Sequence, residues 1–208
     1  MSLKRTAYII ISASILIAAI YAASIFRYAV NEAIRMRAYG RLSQLKLAMS
    51  NYETVNQSLP LREVRAESGA ITFSWMVEIL PYFEQKDLYE EIDLESDWNS
   101  DENRSAIQSG EVFWTWVRDD GYFPCPIDSK NSIWDTETGT ANGLLKDNCE
   151  AIALVSVPLE HVHPLEPFAI REPELIRLLE ASKRVFFIDC CGNCGDVELE
   201  VGVLVFKR

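Results

Sequence analysis

Residues 6–26 read TAYIIISASILIAAIYAASIF, an uninterrupted run of 21 residues between Arg5 and Arg27 with no charged side chain. As an α-helix at about 1.5 Å per residue the run spans about 31 Å, the hydrocarbon thickness of a bilayer. A cleaved signal peptide is the main rival, because Ala22, Ala23 and Ser24 are small residues of the kind found at cleavage sites. The run is long for the apolar region of such a peptide, and no polar stripe marks it as a buried core helix. The reading adopted is a membrane anchor over residues 1–28.

The sequence beyond the run changes character without a break. Apolar positions thin to Val30, Ala33, Ile34, Ala38, Leu42, Leu45, Met49 and Tyr52, spaced by threes and fours, and the first proline is Pro60. Such spacing places one apolar stripe on a helix. The two patterns join into one helix of nearly fifty residues: an anchor, then an amphipathic stalk over 29–56, followed by a globular domain over 57–208.

Charge is distributed unevenly. Every one of the 31 acidic residues lies at or beyond Glu32, and residues 28–208 set 17 basic against 31 acidic side chains, a balance of −14. An acidic body repels phosphate backbones, so nucleic acid is excluded as a partner. Lys4 and Arg5 precede the anchor, whereas Arg27, Arg35, Arg37 and Arg41 follow it. The positive-inside rule alone leans towards an outside N-terminus, but it weakens when a long domain follows. The five cysteines favour a body in an oxidising compartment. The expected location is therefore the inner (cytoplasmic) membrane, single-pass, with the globular domain facing the periplasm or exterior.

Within the body, Ser74–Leu80 and Glu84–Ile92 read as short helices flanking Pro81, and Glu172–Ala181 as a helix with Pro173 in its first turn. Glu111–Val117 (EVFWTWV), Ala151–Val157 and Val185–Asp189 read as strands. Residues 128–143 read as an irregular excursion. At the end Val197, Leu199, Val201, Val203 and Val205 alternate with Glu198, Glu200, Gly202 and Leu204, the pattern of one half-buried strand. Helices first and strands later define an α+β fold with an antiparallel sheet.

The segments LSQLKLAMSNYE (42–53), SLP (58–60), FSWMVEILPYFEQKDLYEEID (73–93), WNSDEN (98–103) and FPCPID (123–128), in that order, resemble the large bacterial family of prepilin-like proteins. In that family a prepilin-type helix precedes a domain of unknown function. Trp75, Pro81, Tyr82, Leu88, Tyr89 and Trp98 carry the likeness most specifically, and VHPLEP (162–167) resembles a later family segment. The resemblance implies a pilin-like fold, a long N-terminal helix packed on an antiparallel sheet. It implies a type II secretion pseudopilin-like structural or assembly role, with the motif residues serving as packing. The partners it implies are the lipid bilayer and other pilin-like subunits met through the N-terminal helix. The chain departs from the family in lacking the glycine and glutamate of the prepilin cleavage signal, which implies a retained anchor. Ala38 stands where relatives often carry a cysteine, leaving Cys125 without its family-type partner.

Few residues offer chemistry. Nucleophile-elbow, P-loop and dinucleotide fingerprints are missing, and His161 and His163 are the only histidines. No enzyme activity and no cofactor are expected. Cys125, Cys149, Cys190, Cys191 and Cys194 are disulfide or thiol candidates, and the C-x-x-C of 191–194 suits a disulfide or metal thiolates. The alternative function is accordingly an exported thiol- or zinc-binding protein built on Cys190, Cys191 and Cys194, with His161 or His163 completing a zinc site. Asp97, Asn99, Asp101 and Asn103 have the alternate spacing of a calcium loop. Glu102 and Gln108 stand where that loop needs glycine and glutamate, so turns braced by side chains are the plainer reading.

Overall fold

A computed structural model describes residues 3–118, 121–130, 132–135, 141, 143–145, 151–159, 161–181, 183–201 and 203–207. The chain divides into two compact units, residues 1–37 and 38–208.

The first unit is helical throughout its described residues. Helix α1 runs as one element from Leu3 to Asn56, and its described part from Ile11 onward is long and apolar enough to cross a membrane. Ile11, Ile15, Leu16, Ile17, Ile20, Tyr21, Ile25 and Phe26 are all exposed. The expected stripe starts later than its spacing implies. Val30 and Ala33 remain exposed and Ile34 is half-buried, so the stripe becomes a packing face only in the second unit.

That unit opens with the remainder of α1. Ala38, Leu42, Leu45, Ala48 and Met49 are buried on one face, each of the larger side chains contributing about 1.5–3 kcal/mol of apolar burial. After α1 the chain reverses at Gln57, which takes a left-handed φ of 57°. Strands β1 (Glu63–Arg65) and β2 (Ile71–Ser74) form an antiparallel hairpin closed near Gly69. Next come α2 (Met76–Ile79), a 3₁₀ turn (Leu80–Phe83) carrying Pro81, and α3 (Lys86–Glu90). The proline sits early in a helical turn, where its missing N–H leaves no bond unmade.

Helices α4 (Arg104–Ser109) and α5 (Glu111–Val117) follow. Residues 111–117 thus form a helix instead of the expected strand. Phe113, Trp114 and Val117 are buried while Val112 and Thr115 are exposed, a period of 3.6, not 2. Aromatic content signalled a strand; tertiary burial on one helical face overrode it.

Strands β3 (Phe123–Cys125), β5 (Ile152–Val157), β7 (Phe186–Asp189), β8 (Cys194–Glu200) and β9 (Val203–Lys207) make a five-stranded sheet in the order β3-β5-β7-β8-β9, all neighbours antiparallel. A small parallel pair joins β4 (Ile127–Asp128) to β6 (Ile170–Arg171). Helix α6 (Glu172–Glu180) starts with Glu174 reaching back to the backbone N–H of Arg171.

The strands β5 and β7 are buried along their length. Phe187 joins Val155, Val197 and Leu175 of α6 in one core, while Phe186 meets Tyr39 of α1 edge-on at 5.7 Å. Successive side chains of a strand face opposite ways, so the sheet lies between α6 and the second half of α1. The fold is α+β with the expected pilin-like layout.

The last strand differs from expectation. Residues 197–205 form a hairpin, not one strand: Glu200 pairs with Val203 and Leu199 with Leu204. Val201 turns the corner with a φ of 49°. That conformation is unusual for a β-branched residue, and alternation of valines on both sides concealed the turn.

Candidate functional site

The family-motif residues pack against different parts of the body. The amide N–H of Ser74 donates to the carbonyl of Leu165 at 3.0 Å, and its hydroxyl to the carbonyl of Pro164 at 2.5 Å. Residues 162–167 are thereby strapped across the end of β2. Trp75, fully buried, lies 6.2 Å from the ring of Trp134. The indole of Trp134 donates to the carbonyl of Pro60 at 3.0 Å, so the irregular excursion of 128–143 contributes a core residue. Leu88 is buried, Tyr89 half-buried, and Tyr82 meets Tyr52 edge-on at 5.5 Å.

His163, in the strap, stacks flat on Trp98 at 5.0 Å and meets Trp114 edge-on at 5.4 Å. Its Nδ1 accepts the amide N–H of Leu165 at 3.2 Å, which leaves the neutral ring's proton on Nε2. Desolvation, helped by the nearby Arg118 charge, lowers its pKa to about 4. This is a neutral packing histidine.

The calcium spacing has another use. Asn103 is fully buried; its Oδ1 accepts the amide of Asp93 at 2.8 Å, and its Nδ2 donates to the carbonyls of Asp93 and Asp97 at 3.1 and 3.0 Å. Asp97 and Asn99 are exposed, and Asp101 ion-pairs with Arg104. The four side chains are therefore not gathered around one point. Asn103 holds the loop from within, and the oxygen spacing is a by-product of turns.

The thiols occupy two places. Cys125, in β3, is buried, and burial pushes its thiol far up. The turn from β7 to β8 holds the rest of the described cysteines. There the buried carboxylate of Asp189 accepts the backbone N–H of Asn193 at 2.8 Å and its side-chain amide at 2.9 Å. Cys190 is buried, its thiol pushed up to about 12 by burial and by the charge of Asp189, with Lys46 opposing. Cys194 is partly exposed; its sulfur lies 3.6 Å from the Ser43 hydroxyl and donates to the carbonyl of Tyr39 at 3.9 Å. Burial is also the main cause raising its pKa. Both are free thiols, whereas Cys191 is disulfide-bonded, so the C-x-x-C of 191–194 is not itself a disulfide. Cys149 lies outside the described residues. His161 is exposed and His163 is in its aromatic slot against Trp98. Among the described residues no three His, Cys, Asp or Glu side chains come together to hold a metal.

One site was missed in the sequence. At the end of α1 a cavity of about 520 Å³ is lined by Tyr52, Gln57, Ser58, Leu59, Leu61 and Glu78, with Ala141, Gly143 and Leu144. Glu78, half-buried in α2, accepts the Tyr52 hydroxyl at 3.4 Å and the amide of Leu61 at 2.8 Å. Desolvation raises its pKa above the ordinary carboxylate value, the two donors opposing. The same burial, with Glu78 adding to it, pushes Tyr52 up to about 12. Four segments of the chain build this cavity, and only the tyrosine and the glutamate, 26 residues apart, could have signalled it.

The long apolar helix and the antiparallel sheet define a protein of pilin-like layout with one helix able to span a membrane. The profile of the family described as "Protein of unknown function (DUF1559)" matches residues 31–148, more than half of the chain, and the protein belongs to that family. No curated protein and no solved structure matches it.

Proposed function

We propose that this is a membrane-anchored, pseudopilin-like structural or assembly protein of the type II secretion kind, with an acidic extracytoplasmic body and no catalytic role. One observation carries the reading. The side chains of Ile11, Ile15, Ile17, Ile20, Ile25 and Phe26 are exposed on a stretch of helix with no charge between Arg5 and Arg27. Water is a poor solvent for such a surface, and lipid or a neighbouring apolar helix a good one. Family membership and the pilin-like layout support it. The first half of α1 anchors the chain in the inner membrane and associates laterally with other pilin-like helices. The motif aromatics and the cysteine turn fix the body onto the second half of α1. The disulfide at Cys191 serves as a staple in an oxidising compartment.

Carbonate extraction of native membranes, followed by protease added from the periplasmic side, tests the proposal. The expected result is a pelleted full-length chain whose body is digested only from outside. A soluble, shortened chain would sink it.

A further inference from the structure

We infer that the cavity at the end of α1 is a binding site for a primary ammonium group carrying a short apolar body. The proposal is independent of membrane anchoring. Among the described residues Glu78 makes no ion pair, and none that lines its cavity is positively charged. A neutral glutamine would accept the same two hydrogen bonds without the cost of desolvating a charge. The charge is thus the part of Glu78 that the fold leaves unused.

A carboxylate has about four lone-pair positions, and Tyr52 and Leu61 occupy two. An ammonium in the cavity would take the remainder as charge-assisted bonds. Its other donors have the Ser58 hydroxyl, and the Tyr52 ring offers a π-face. Leu59, Leu61 and Leu144 supply apolar walls for the carbon body. The volume, about 520 Å³, lies in the range of small-molecule sites. The ammonium has two sources: a free small amine, or the amino terminus of a polypeptide.

The test uses the full chain in micelles, with methyl NMR of its leucines and n-butylammonium as probe; n-butanol is the uncharged control. Saturable shifts at Leu59, Leu61 and Leu144 with the amine, and binding at least about tenfold weaker with the alcohol, are expected. Glu78→Gln should weaken amine binding about tenfold or more. Should that variant fail to fold, Leu61→Lys, which places a tethered ammonium at the cavity, should abolish binding. A short apolar peptide with a free amino terminus, compared with its N-acetylated form, identifies the source. Tighter binding of the free peptide than of butylammonium assigns a polypeptide; the reverse assigns a small amine. Equal binding of amine and alcohol, no saturable shift at tens of millimolar, or parent-like affinity in a folded variant overturns the proposal.

Discussion

Acidification should weaken the body through His163, by an amount its surroundings set. The ring is held neutral between Trp98 and Trp114, with a pKa of about 4 against 6.5 in the unfolded chain. The charged groups around it are Arg118, which caps the end of α5, and Glu166, whose carboxylate accepts the His163 amide at 3.3 Å. Because the folded pKa is the lower one, the unfolded chain binds more protons between the two values. The contribution is fully present above pH 6.5 and is lost as pH falls towards 4. At pH 5 the two values give a loss of about 2 kcal/mol relative to pH 7.5. His163 is only partly buried as a residue, which brings the expected figure to about 1–2 kcal/mol. Urea titrations of the detergent-solubilised chain at pH 7.5 and 5.0, followed by tryptophan fluorescence, measure it. His163→Phe keeps the stacking but cannot titrate, so the difference between parent and variant isolates this group from the carboxylates. A variant losing as much stability on acidification as the parent would refute the reasoning.

Asn103→Ala should cost about 2–4 kcal/mol. It removes two donated bonds and leaves the Asp93 amide without its acceptor at the one fully buried side chain of the loop; a loss under about 1 kcal/mol would contradict the role assigned to this side chain. In the folded chain near pH 8, iodoacetamide should alkylate Cys194 first and spare Cys190 and Cys125, since both are buried and their thiolates scarce. Peptide mapping that found Cys190 or Cys125 modified as fast as Cys194 would be inconsistent with that burial.

What could be read from the sequence was set by the range of the interactions. Helix α1 was legible because an uncharged run and a stripe spaced by threes and fours are local patterns. The strands β5 and β7 and helix α6 were legible for the same reason. The helix at 111–117 was misread because its aromatics favour strands until neighbours fix which face is buried. The final hairpin was misread because hydrophobic alternation continues through its corner at Val201. At the sites, nothing local announces that Ser74 bonds a carbonyl 90 residues away. The Glu78 cavity escaped notice because its charge becomes significant only once it is seen in three dimensions that no described side chain lining the cavity is cationic.

The strand pairings also set a timetable for synthesis. Strands β3 and β4 take their partners, β5 and β6, from beyond residue 148, and Ser74 waits for Pro164 and Leu165. The region matched by the family profile ends before any of these partners has been made. At about 5–20 residues per second the remaining 60 residues take roughly 3–12 s to emerge. During that interval the nascent chain presents unpaired strand edges and tryptophans with no strap over them, a form open to misassembly. A holding factor, or a slow passage through a translocation pore, would be needed most while residues 149–208 are still being made.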